Sequence, residues 1–182
     1  MKLKALNIDK QWTLFLDRDG VINEKLDNDY VKRLEEFQFL PGAKAAIVQL
    51  NKLFGLTVVV TNQQGIGKGI MTTDDLRLVH NYMQTEIIKE GGGIDEIYFA
   101  PELATSNSIN RKPNTGMAEQ ARKDFPQIDF KKSVMVGDSL SDLQMGKRVG
   151  MITVYITQSK EKLREADFQF SSLVDFAEAL IA

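Results

Sequence analysis

The chain has 182 residues, 43% hydrophobic and 26% charged, with a formal net charge of −2; these are the proportions of a water-soluble globular chain long enough for one domain with a real core. It has no cysteine and a single histidine, His80, which excludes disulfides, thiolate nucleophiles, cysteine-bound zinc, histidine metal clusters and a serine–histidine triad. No block of Lys and Arg matches a nucleic-acid backbone and no apolar run is long enough for a bilayer, so neither partner is expected.

In chain order, residues 1–10 alternate polar and apolar without a signal-peptide core, which together with the missing disulfides points to the cytoplasm. Trp12–Leu16 is a short apolar run and predicts a first strand, followed by a long loop, Arg18–Leu40. Pro41–Phe54 carries Ala43, Ala46, Ile47, Leu50 and Leu53 at helical spacing. Leu56–Val60 predicts a second strand. Thr73–Glu90 opens with a Thr/Asp cap signal, places Leu76, Val79, Tyr82, Met83 and Ile87 on one face, and is ended by Gly91–Gly93. Ile94–Ala100 predicts a third strand, and a second long loop, Pro101–Lys112, leads into a helical stretch, Asn114–Phe125. Ser133–Val136 and Met151–Ile156 predict two more strands around a helix at Asp142–Val149. Ser172–Ala182 closes the chain with Leu173, Phe176, Ala177 and Leu180 at helical spacing. The strand runs alternate little, as expected of strands buried on both faces. Strands alternating with helices predict right-handed βαβ units in a three-layer, Rossmann-like α/β sandwich with a parallel sheet, one domain over residues 1–182. No leftover apolar stripe asks for a partner, so a monomer is expected.

In such a sheet, ligands bind beyond the carboxyl ends of the strands. The first strand runs into Asp17-Arg18-Asp19-Gly20, the second into Thr61-Asn62-Gln63-Gln64-Gly65, and the fourth into Gly137-Asp138-Ser139 with Asp142 one turn on. Arg111-Lys112-Pro113 lies between the third and the fourth. A carboxylate at a strand tip can act as nucleophile, which suits Asp17. A second carboxylate two residues on can protonate the leaving oxygen and then accept a proton from water, which suits Asp19. Clustered carboxylates facing a phosphate need a hard cation, and Mg2+ with Asp17, the Asp19 carbonyl and Asp138 as ligands meets that need. Thr61, the Asn62 amide and Lys112 would stabilise charge on the transferring phosphoryl oxygens. Asp142 is either a helix cap or a metal-related carboxylate. Gly65-Ile66-Gly67-Lys68-Gly69 lacks the residues of a P-loop and reads as a loop near the site, with Lys68 at its tip. His80, inside a helix and away from the strand ends, reads as a surface or packing residue.

These four motifs in this order resemble the haloacid dehalogenase (HAD) superfamily of phosphohydrolases. Asp17-Arg18-Asp19-Gly20-Val21-Ile22-Asn23, Thr61-Asn62-Gln63-Gln64-Gly65-Ile66 and Arg111-Lys112-Pro113-Asn114-Thr115-Gly116-Met117 are similar to a subgroup without a large cap domain. That subgroup includes heptose 1,7-bisphosphate and histidinol-phosphate phosphatases. The resemblance implies a Mg2+-dependent phosphomonoesterase that works through a phospho-aspartate on a small phosphorylated metabolite. Tyr30-Val31 and Gly116-Met117 lean toward the heptose member, and Arg111 is implied to contact substrate. The alternatives are a histidinol-phosphate phosphatase and a non-catalytic phosphosugar-binding protein. Two departures stand out: the 101–110 loop has no Cys or His where the subgroup carries a zinc site, so no zinc is expected, and Ser139 stands where the heptose enzymes usually have lysine.

Overall fold

The computed structural model describes residues 3–181. Six parallel strands form one sheet in the order β3-β2-β1-β4-β5-β6. They are β1 (Thr13–Leu16), β2 (Leu56–Asn62), β3 (Glu96–Ala100), β4 (Ser133–Gly137), β5 (Ile152–Ile156) and β6 (Phe168–Phe170). The helices are α1 (Ala43–Leu53), α2 (Thr73–Lys89), α3 (Gly116–Asp124), α4 (Leu140–Val149) and α5 (Leu173–Ile181). The fold is therefore the expected parallel α/β sandwich, with no large cap among the described residues. Among the described residues no helix is long and apolar enough to cross a membrane.

Period-two side-chain direction divides the core between the two faces of the sheet. Leu14 and Leu16 of β1 point to the layer of α1, α2 and α5, where they join Ile47, Leu50, Val79, Met83 and Phe176. Phe15, between them, points to the other layer with Val58, Val60, Met117, Ala121 and Met145. All three β1 side chains are fully buried, each contributing about 2 kcal/mol by burial. This two-sided burial is why β1 reads as a continuous apolar run rather than an alternating one.

One expectation needs correcting on α2. Tyr82 is not in the core: it is 38% exposed and packs edge-on against Phe37. The buried position next to Val79 belongs to His80, 7% exposed. A helical face is wide enough that spacing alone does not fix which of its border residues turns inward. The sequence reading also lacked β6, whose three residues are all half-buried at the sheet edge.

The order in which strands are added to the sheet reverses at β1. The first half of the chain lays β2 and β3 on one side of it, the second half β4, β5 and β6 on the other. The register sets Leu16 of β1 opposite Val59 and Val136, so the ends of β1, β2 and β4 open into one crevice.

Candidate active site

Asp17 follows β1 directly, and its N–H donates to the Val136 carbonyl at 2.9 Å, which carries the strand ladder into the site. Asp138 follows β4, and Asp142 lies in the first turn of α4. Oxygen atoms of Asp17, Asp138 and Asp142 all lie within 4.8 Å of one another. Gly20 and Gly137 make this approach possible. A Cβ on Gly20, whose φ is +83°, would meet Asp138 Oδ2 at 2.3 Å, and one on Gly137 would meet Asp142 Cβ at 2.2 Å.

Asp142 does two jobs at once. Its Oδ2 accepts from the Ser139 N–H at 3.0 Å and from the Ser139 hydroxyl at 2.6 Å, closing a capping box on α4. Its Oδ1 lies 2.6 Å from Lys112 Nζ. That same ammonium is 2.8 Å from Asp17 Oδ1 and donates to the Val60 carbonyl at 2.8 Å. Lys112 is 3% exposed, and its backbone is clamped by Asn62: Lys112 N–H donates to Asn62 Oδ1 at 3.0 Å and Asn62 Nδ2 donates to the Lys112 carbonyl at 3.1 Å. The Lys112–Pro113 peptide is cis. Lys25, reaching in from the first long loop, pairs with Asp138 at 2.7 Å.

The charges perturb one another. Burial and the Asp142 charge push the Asp17 carboxyl up to about 7, against the pull of Lys112. Asp138 is also raised by burial, with Lys25 opposing. Lys112 loses to burial but gains more from Asp142 and Asp17, so it stays firmly cationic. Asp138 Oδ1 is buried without a hydrogen-bond partner among the described residues. Three converging carboxylates, one with an unused oxygen, are a hard-oxygen donor set that fits Mg2+.

The Asp19 side chain belongs to a different group. Its Oδ1 accepts from Arg18 Nη2 and from Asn23 Nδ2, each at 2.9 Å, and its Oδ2 accepts from Gln63 Nε2 at 2.9 Å. Burial raises its pKa, but the Arg18 charge and these hydrogen bonds outweigh it and leave Asp19 below the usual carboxylate range. Gln63 also donates to Thr61 Oγ1 at 2.9 Å, so Thr61, 1% exposed, is tied to Asp19 through one amide. Arg18, Asn23, Gln63 and Lys25 were not singled out in the sequence. The one hint was a cation between two aspartates at a strand tip.

Asp17, Asp19, Asn62, Arg111, Lys112 and Asp142 line one cleft of about 480 Å³, together with Lys25, Tyr30 and Lys68. Lys68 Nζ lies 5.1 Å from the Tyr30 ring centre, and Arg111 Nη1 donates to the Glu102 carbonyl at 3.4 Å. The 101–110 loop, which leads into Arg111, is held by backbone bonds: Gly67 N–H to Pro101 O at 3.0 Å and Gly116 N–H to Ile109 O at 2.8 Å.

The chain is similar to known proteins over most of its length. The HAD-hydrolase-like family model matches residues 109–176. A Mycobacterium tuberculosis protein (strain H37Rv) named D-glycero-alpha-D-manno-heptose-1,7-bisphosphate 7-phosphatase is 37% identical over 174 residues, 93% of this chain and 92% of that protein. The chain belongs to the HAD-like phosphatase family. Its members at this level of similarity are phosphoric monoester hydrolases. A Rhodopseudomonas palustris relative named for the beta anomer is 36% identical over 144 residues, 75% of this chain and 78% of that protein. The crystal structure of D,D-heptose 1,7-bisphosphate phosphatase from B. bronchiseptica, complexed with magnesium and phosphate, superposes with a TM-score of 0.85 at 30% identity, covering 93% of this chain and 98% of the other.

Proposed function

We propose that the chain is a Mg2+-dependent D-glycero-D-manno-heptose 1,7-bisphosphate 7-phosphatase. The observation that carries the reading is Lys112, buried between Asp17 and Asp142 at 2.8 and 2.6 Å, at the floor of a cleft whose wall holds further cations. A lysine in that place pulls the nucleophilic carboxylate toward its ionised form, against burial and the Asp142 charge, and meets the incoming phosphoryl oxygens. Relatives and a structural neighbour named for the heptose bisphosphate support the substrate.

Asp17 attacks phosphorus and carries the phosphoryl group. Asp19 gives a proton to the departing sugar oxygen and takes one back from the water that hydrolyses the phospho-aspartate. Asp17, Asp138 and the Asp19 carbonyl would hold the metal, with Asp142 beside them. When bound, Mg2+ offsets the negative charge of the carboxylates and the phosphate. Thr61, the Asn62 amide and Lys112 stabilise the phosphoryl oxygens, and Arg111 binds the part of the substrate beyond the reacting phosphate. The anionic substrate also relaxes the bias at Asp19, because a second negative charge nearby favours its protonated form. Residues 1–182 act as one domain, a cytoplasmic monomer.

The test is phosphate release with Mg2+ from heptose 1,7-bisphosphates of both anomers, other sugar phosphates and histidinol phosphate. A kcat/KM for a heptose bisphosphate well above all others, lost in Asp17→Asn, is the expected result. Preference for histidinol phosphate would overturn the substrate, and no Mg2+-dependent release from any of them would overturn the activity.

A further inference from the structure

His80 is buried in α2, far from the cleft floor in sequence, yet its ring Nε2 lies 3.1 Å from Arg18 Nη1. A guanidinium only donates, so Nε2 must be the acceptor and carry no proton. Burial and the Arg18 charge agree, holding His80 down to about 3. Arg18 is 0% exposed and bridges two partners: His80 through Nη1 and Asp19 through Nη2 at 2.9 Å. Arg18 Nε has no hydrogen-bond partner among the described residues. The guanidinium is therefore fixed at two ends, one of them the imidazole.

We propose that His80 is a positioning residue, whose imidazole holds Arg18 against Asp19 and so sets the Asp19 carboxylate for proton transfer. This rests on the reading of Asp19 as acid and base. In the first step the sugar O–P bond breaks, the Asp17–phosphorus bond forms, and the Asp19 proton goes to the sugar oxygen. In the second, water attacks phosphorus, the Asp17–phosphorus bond breaks, and the water proton goes to Asp19. A buried charge with one acceptor removed pulls harder on the other or turns away from it; either shift moves the Asp19 oxygens from the leaving group. Displacement of a reacting group by about 1 Å can cost about a hundredfold.

The measurement is kcat/KM at saturating Mg2+ on two substrates, the heptose bisphosphate and 2,4-dinitrophenyl phosphate. The second has a leaving group that departs without a proton, and kcat/KM covers only the steps up to its departure. His80→Phe is expected to lose about tenfold to a hundredfold on the sugar phosphate and less than about twofold on the aryl phosphate. His80→Gln, which keeps an acceptor, is expected within about threefold of wild type on both. If His80→Phe shows no cooperative melt, His80→Ala is read in its place. Equal losses on both substrates, or none on either, would overturn the proposal and leave His80 a packing residue. Asp19→Asn separates the two levels: it must show the same split, only larger. An equal loss there removes the acid–base reading of Asp19 itself, whatever His80 does.

Discussion

Replacing His80 by Gln should change how stability depends on pH, and the size can be worked out. The imidazole titrates near 6.5 when unfolded and only at about 3 when folded. Between those values the unfolded chain binds the extra proton, so the stability linked to His80 is present above 6.5 and is lost as pH falls toward 3. From about pH 7.5 to about pH 5 this amounts to about 2 kcal/mol. Asp17 works the other way. Its carboxyl rises from 3.8 to about 7 on folding, so the folded chain binds the extra proton and gains stability over the same window. That gain is about 2.5 kcal/mol, so the two groups nearly cancel in the wild-type profile. The difference between wild type and His80→Gln isolates the histidine, since Asp17 is common to both. In urea melts with chelator, the stability of His80→Gln relative to wild type should rise by about 2 kcal/mol from about pH 7.5 to about pH 5. Curves that stay parallel within about 0.5 kcal/mol would mean that His80 titrates normally in the folded chain and is not held by Arg18.

Other perturbations have defined outcomes. Lys112→Met leaves Asp17 and Asp142 buried without their shared cation; it should cost about 3–5 kcal/mol in chelator, part of it regained with saturating Mg2+, and thermal melts with and without the metal check this. Gly20→Ala puts a methyl 2.3 Å from Asp138 Oδ2 at a φ of +83°, so calorimetry should find Mg2+ affinity reduced at least about tenfold. Arg111→Ala should raise KM for the bisphosphate more than it lowers kcat, because under the proposed function this cleft-lining side chain meets the non-reacting part of the substrate.

The sheet was legible because its central strands are buried on both faces. Leu14, Phe15 and Leu16 serve opposite layers and leave no polar interruption. β6 escaped notice because a three-residue edge strand with half-buried side chains has no such signature. Strand tips brought Asp17, Asp138 and Thr61 within view, since topology alone places those ends together. What the sequence could not convey were contacts between distant segments. Lys25 meets Asp138 across 113 positions, and His80 meets Arg18 across 62. A lone histidine at helical spacing looks the same whether it faces solvent, a leucine or a buried guanidinium. Asp142 reads as a cap or as a site residue, and its two oxygens are divided between those uses.

Asp17 as the covalent carrier can be tested directly by mixing enzyme, Mg2+ and heptose bisphosphate, quenching in acid within the first turnover, and mapping the peptides by mass. One phosphoryl group on Asp17, absent from Asp17→Asn, is the predicted result. Turnover with no phosphorylated peptide at any quench time, or with the group on another residue, would contradict it.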